Sequence, residues 1–261
     1  MHDLAFVLAG FLVGLVVGLT GVGGGSLMTP ILIFFFGVKP YLAVGTDLLF
    51  AAFTKLGGTV RLARARQIDW RVVRQISAGS IPAALLTLYG LHRIGPSGAA
   101  TQSLMTTTLG GALLLTAAAT LYKAVLGKPL ARAVGQENVA ATPRHWILPP
   151  LLGAAIGTLV TLTSVGAGAI GVTVLLLLYP LLPLPRIVAA DIAVAVPLTL
   201  VAGLGHASMG SVDWSLLVWL LAGSLPGIWL GSHLGAHTPE RLVRALLSML
   251  LAYAGFKLVT V

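Results

Sequence analysis

Long apolar runs follow one another from residue 4 to residue 260, and the longest polar stretch between them is 123–146. This feature limits the fold most, because backbone inside a bilayer has no water to bond to, and only helices and closed barrels satisfy it internally. The runs are continuous rather than alternating, so they read as helices and not as barrel strands. Charge agrees. Asp, Glu, Lys and Arg make up 9 % of the 261 residues, while AVILMFWYC supply 57 %; a soluble domain carries roughly 25 % charged residues. The expected fold class is an all-α integral membrane protein. A crossing helix needs about 20 residues, which leaves room for about six to ten membrane segments and almost no domain outside the lipid.

The chain begins Met-His-Asp without Lys or Arg, and no small-residue cleavage site follows its first apolar run, so that run is expected to be retained. Cysteine is absent, which removes thiol chemistry and disulfides. The net charge is +9, but the cations fall mostly between apolar runs, where they set topology. A nucleic-acid partner is not expected.

The chain is also duplicated. QIDW at 67–70 recurs as SVDW at 211–214, and AGSIP at 78–82 recurs as AGSLP at 222–226, both at an offset of 144 residues. Asp47 and Asp191 hold the same offset, while GVGGG at 21–25 answers SVGAG at 164–168 at an offset of 143, implying one inserted residue. The division is a first membrane repeat over 1–122, a polar cytoplasmic linker over 123–146 and a second membrane repeat over 147–261.

In each repeat two short apolar pieces flank the glycine cluster, at 4–19 and 26–37 and again at 147–162 and 169–183. Three longer segments follow: 41–60, 71–91 and 98–122, then 186–205, 214–233 and 240–260. Twelve residues of helix rise only about 18 Å, so each glycine cluster is expected to break a helix near the midplane. If the broken pieces form a hairpin, each repeat has an odd number of crossings and the repeats are inverted; if they cross continuously, the repeats are parallel. With the Arg-rich loop 61–74 inside and Lys55 left in the membrane, the hairpin arrangement puts twelve Lys and Arg inside and three outside (Lys39, Arg93 and Lys257), against ten and five for the other. The excess of inner cations favours the inverted arrangement, with eight to ten membrane segments in all.

The glycine clusters are the first candidate site. GVGGGS has no following Lys-Ser/Thr and no preceding strand, so it is not a nucleotide loop. Glycine lets the backbone leave the helix and approach a ligand, and helix N-termini opened there aim N–H groups and a positive dipole end at the midplane. Half-helices starting at Ser26 and Ala169, with Gly21, Gly23, Gly24, Gly25, Thr46, Thr163, Ser164, Gly166 and Gly168 around them, would bind a small anion in the manner of broken-helix transporters. Tight helix packing is the alternative. Asp47 and Asp191 lie inside membrane segments at equivalent positions, where a carboxylate is costly and usually functional. They read as proton-coupling groups, as groups orienting the backbone of the breaks, or as caps near the interface. Lys55, whose counterpart is Thr199, either attracts the anion or snorkels to the inner face.

Pro82 and Pro226 kink equivalent helices, and the stripes Gly10, Gly14, Gly18 and Gly227, Gly231, Gly235 read as close helix packing. His233 and His237 have helical metal-like spacing with no third ligand beside them in sequence, so neither a metal nor a cofactor is expected. Catalytic motifs are likewise absent, and the chain is not read as an enzyme.

Three blocks in combination, GLTGVGGGSLMTPIL at 18–32, AVGTDLLFAAFTKLGGT at 43–59 and IDWRVV…GSIPAALL at 68–86, resemble the TauE/SafE sulfite exporter family of membrane permeases. The resemblance implies a multi-pass transporter of the bacterial inner membrane, exporting small sulfur-containing anions such as sulfite or sulfonates. No ATP motif is present, so the expected driving force is the substrate or proton gradient, with Asp47 and Asp191 as candidates for proton coupling. The resemblance places the family's glycine-rich segments on Gly21–Ser26 and Ser164–Gly168, the second of which is less glycine-rich here. A passive anion channel and a non-transporting assembly scaffold are the competing functional classes.

Overall fold

The structure, a computed structural model, describes residues 2–20, 25–95, 98–130, 146–166, 168–234 and 240–260. Among them are ten helices. The part of the chain before residue 131 holds α1 (His2–Thr20), α2 (Gly25–Phe36), α3 (Pro40–Arg64), α4 (Trp70–Ile94) and α5 (Ala99–Leu130). The part after residue 145 holds α6 (Leu148–Thr163), α7 (Ala169–Leu178), α8 (Leu184–Ser208), α9 (Trp214–Leu234) and α10 (Glu240–Thr260). Within the described residues, α5, α8 and α9 include segments long and apolar enough to cross a membrane unaided.

The recurring aspartates of QIDW and SVDW serve as helix starts. The Asp69 carboxylate accepts from the Arg71 N–H at 3.0 Å, and the Asp213 carboxylate accepts from Leu216 N–H at 3.0 Å, each satisfying a first-turn donor. The tryptophan after each is exposed, Trp70 at 53 % and Trp214 at 58 %, as suits rings seated at a membrane–water boundary.

Several bounds differ from expectation. α1 has 19 residues and rises about 28 Å, and α6 has 16 and rises about 24 Å, so α2 and α7 are the half-helices in length. α7 stops at Leu178 because Pro180 follows its last turn. α5 runs on through Lys123 and Lys128 to Leu130, into the stretch read from sequence as linker.

The helix pairs repeat with the partners exchanged: α1 packs on α9 as α6 packs on α4, while α3 packs on α8 and α5 on α10. Glycine makes the crossed pairs possible. A methyl group on Gly10 or Gly14 would strike the backbone of Leu220 or Ser224 in α9; one on Gly153 or Gly157 would strike that of Ile76 or Ser80 in α4. From the other side, Gly223, Gly227 and Gly231 meet Val7, Phe11 and Leu15, and Gly79 meets Pro150. The stripes therefore do what the spacing suggested; Gly235 and His237 lie outside the described residues, and His233 Nδ1 sits 2.8 Å from the Trp229 carbonyl oxygen of its own helix. Numbers rise together across both crossed pairs, so α1 runs parallel to α9 and α4 parallel to α6. Across α3 and α8 they run oppositely: Gly45 meets His206 and Leu49 meets Gly203.

Replacing Gly157 by valine is expected to destabilise the fold by about 1–3 kcal/mol, because the α4–α6 backbones would have to part. A lower midpoint for loss of monodisperse protein on heating in detergent would show it. Gly90→Ala, where a methyl group meets nothing within 4 Å, should leave the midpoint in place.

Apolar side chains form three buried clusters. One joins α1, α2, α5, α9 and α10 around Leu32, Leu113 and Leu220; another joins α4, α7 and α8 around Ile76, Leu175 and Ile187. Between them Val44, Leu48, Ala84, Val160, Leu198 and Ala202 knit α3, α4, α6 and α8 together. Around the outside, Leu4, Phe35, Leu86 and Leu177 stand 68–78 % exposed, which is stable only against lipid.

Candidate functional site

The second helix break is visible in full apart from residue 167. α6 closes at Ser164, which takes the left-handed conformation at φ +58°, and Gly166 and Gly168 follow at φ +123° and +138°. L side chains avoid such angles, so glycine is the residue that lets the chain turn here. Ala169 opens α7, where Ala169 was expected to open it. The Thr163 hydroxyl donates to Leu159 O at 2.6 Å and accepts from Val165 N–H at 3.1 Å, so it closes the end of its own helix. At the first break, Gly21, Gly23 and Gly24 lie outside the described residues. α2 begins at Gly25, one residue before the expected Ser26.

The first turns of α2 and the second break converge on Asp47. This aspartate of α3 has no exposed surface. Thr29, on the first turns of α2, donates its hydroxyl hydrogen bond to Asp47 Oδ2. Ser164, from the other break, faces the same carboxyl group. Asp47 Oδ1 and Ser164 Oγ are both buried without a hydrogen-bond partner, and a buried polar atom left so costs about 1–3 kcal/mol unless something bonds to it. Thr29 escaped the sequence reading; its signal is a hydroxyl one turn beyond Ser26 in a half-helix otherwise almost wholly apolar.

Asp191 occupies the equivalent place in α8 and is 6 % exposed. Its Oδ1 lies against Gly171 of α7, where a methyl group would collide with it. Each aspartate thus abuts the half-helix of its own repeat. Asp191 also lines a small recess with Ile76, Ile156 and Leu198.

Lys55 does not snorkel. It is 6 % exposed and is the buried Lys or Arg among the described residues. It lies within electrostatic reach of Asp191 and of Asp47. Thr46, fully buried, is turned elsewhere: its Oγ1 accepts from the Asp213 N–H at 3.0 Å, tying α3 to the α8–α9 loop. His206 is a second group that sequence reasoning passed over; its Nε2 sits 3.0 Å from Thr161 O, and its Nδ1 is buried with no partner. The structure therefore gathers Thr29, Asp47 and Ser164, places Lys55 within electrostatic reach of both aspartates, and uses Thr46 and Thr163 as struts.

An all-helical, lipid-facing fold with glycine-broken helices around buried charges defines a multi-pass membrane protein of the transporter class. Residues 6–258 match the family described as Sulfite exporter TauE/SafE, and the chain belongs to that family. It is 34 % identical over 98 % of its length to a probable membrane transporter protein, YjnA, of Bacillus subtilis (strain 168), covering 100 % of that protein. It is 26 % identical to YdhB of the same organism, also described as a probable membrane transporter protein, with 98 % of this chain and 99 % of that one aligned. No solved structure matches the chain.

Proposed function

We propose that the chain is a secondary transporter that exports small sulfur-containing anions, such as sulfite or an organosulfonate, across a bacterial inner membrane through a midplane site at the two helix breaks. The observation that carries the site is the pair of buried polar atoms without partners, Asp47 Oδ1 and Ser164 Oγ, at the opened turn before α7. The Ser164 hydroxyl and the first N–H groups of α7 and α2 would replace the water an anion loses on entering. Gly25, Ser26, Gly166 and Gly168, with Gly21, Gly23 and Gly24 before them, would let the backbone come close, while Thr46 and Thr163 brace the walls. The sulfur-anion class follows from the family's name.

The repeats are read as inverted. Supporting this, α3 and α8, equivalent in the duplication, run antiparallel at the Gly45–His206 and Leu49–Gly203 contacts. α2 folds back along α1, the Phe6 ring near the start of α1 lying 4.8 Å from the Phe36 ring at the end of α2, as a hairpin requires. The inner excess of cations that follows when loop 61–74 is set on the cytoplasmic side supports the same reading.

Asp47 is the candidate proton carrier. When ionised it would oppose an anion beside Ser164; two like charges about 4 Å apart repel by about 4 kcal/mol at an effective dielectric constant near 20. A proton on Asp47 removes that opposition. Of the other titratable groups, Lys55 acts on the Asp47 carboxyl, while Asp191 is buried against Gly171 and His206 against Thr161 O.

Flux in proteoliposomes holding the purified protein tests the reading, with protein-free vesicles as baseline. Saturable sulfite and methanesulfonate flux that responds to an imposed pH gradient is expected. Flux that neither saturates nor responds to pH would instead indicate a channel, and absence of flux for both anions would overturn the substrate class.

A further inference from the structure

The duplication and the antiparallel crossing of α3 and α8 together define a local pseudo-twofold axis. Continuing the register in which Gly45 meets His206 and Leu49 meets Gly203 brings Thr54 opposite Leu198. Those two residues are each other's counterparts at the 144-residue offset, so the axis passes between them. Lys55 and its counterpart Thr199 stand one residue from that point. Asp47 and Asp191 each stand seven residues from it along their own helices, hence about 10 Å away on opposite sides. The buried cation is therefore central, and the two carboxylates flank it in equivalent positions toward the two faces.

Resting on the transport reading above, we propose that Lys55 is the charge-selecting residue of the site, a single cation on the axis that serves both half-sites. Three observations support it. Lys55 is buried at 6 % exposure, in a place where an unneeded ammonium would be strongly disfavoured. Both aspartates lie within electrostatic reach of it, and the carboxyl of Asp47 is also held by Thr29 and faces Ser164. Its counterpart is a threonine, so the repeats together carry one such charge rather than two. Two ammonium groups this near the axis would repel each other; none would leave an anion without a fixed positive charge at the midplane.

The near-symmetry provides the test, because the charge can be moved to the equivalent position on the other helix. The variants are Lys55→Thr, Lys55→Met, and Lys55→Thr combined with Thr199→Lys, assayed beside wild type for methanesulfonate and sulfite flux in proteoliposomes. Lys55→Met keeps the apolar stem and removes the charge, so it separates packing from electrostatics. Both single variants are expected to raise KM at least tenfold with a smaller change in the maximal rate, and the transplanted lysine should recover most of that loss. Wild-type KM in Lys55→Met would overturn the proposal. So would a double variant that remains monodisperse but shows no recovery; if that variant does not fold, Lys55→Arg replaces it, and charge selection predicts that arginine retains flux that methionine loses. A wild type without flux of either anion is a different result: it overturns the transport reading itself, and this role with it.

Discussion

Asp47→Asn should abolish the response of flux to pH. In wild type, methanesulfonate is the informative substrate because its own charge stays constant, and its flux should rise by up to about tenfold for each unit the loading side is acidified while Asp47 remains mostly ionised. The sign follows from the geometry. The carboxyl group is fully buried and faces Ser164, its Oδ2 is taken by Thr29, and its Oδ1 has no hydrogen-bond partner. A negative charge there opposes the anion; a proton removes the opposition. Asparagine keeps the acceptor for Thr29 and the shape of the neutral acid, so the protein should fold and transport with a flat pH profile. A profile that still follows pH in the variant would make Asp47 a structural group and move proton coupling to Asp191 or His206.

The second large effect is expected from Gly166→Ala combined with Gly168→Ala. Space is not the obstacle at Gly166, where a methyl group would meet side-chain atoms of Leu159 and Val160 at 3.4 and 3.5 Å. The obstacle is the backbone, at φ +123° and +138°, where each added Cβ costs about 1–3 kcal/mol. Relief comes from drawing the turn back toward helix, which would carry Ser164 and the start of α7 away from Asp47. Transport should fall below detection while monodisperse protein is still recovered. Wild-type flux in this variant would mean that the unwound turn is not part of the pathway.

Much of the architecture was legible because membrane insertion ties sequence directly to structure. Apolar runs mark helices, and the repeated QIDW and SVDW landmarks, legible in the sequence only as repeats, are helix starts in the structure, with Asp69 and Asp213 capping the turns that follow. The stripe Gly10, Gly14, Gly18 announced a close crossing, because only glycine allows two helix backbones to touch. Half-helix lengths were less legible. α1 extends further than its apolar core and α7 less far, because helix ends respond to neighbouring turns and prolines as much as to hydropathy.

The candidate site divides similarly. Asp47, Asp191 and Lys55 stood out as charges inside apolar segments, and Ser164 and Gly168 as members of a repeated cluster. Thr29 did not, being one hydroxyl among many whose importance depends on facing Asp47 from a different helix. Thr46 and Thr163 looked equally available, yet one holds the Asp213 N–H and the other closes the end of α6. The sequence alone marked this chain as a membrane protein, with matched landmarks 144 residues apart and glycine clusters between apolar runs, because each of these is a local consequence of composition or spacing. Only the tertiary structure decided that α1 pairs with α9 and α6 with α4, that α2 and the turn before α7 both reach Asp47, and that Lys55 is buried. Those facts depend on the register between helices far apart in the chain, and register is set by how side chains interlock across the crossings.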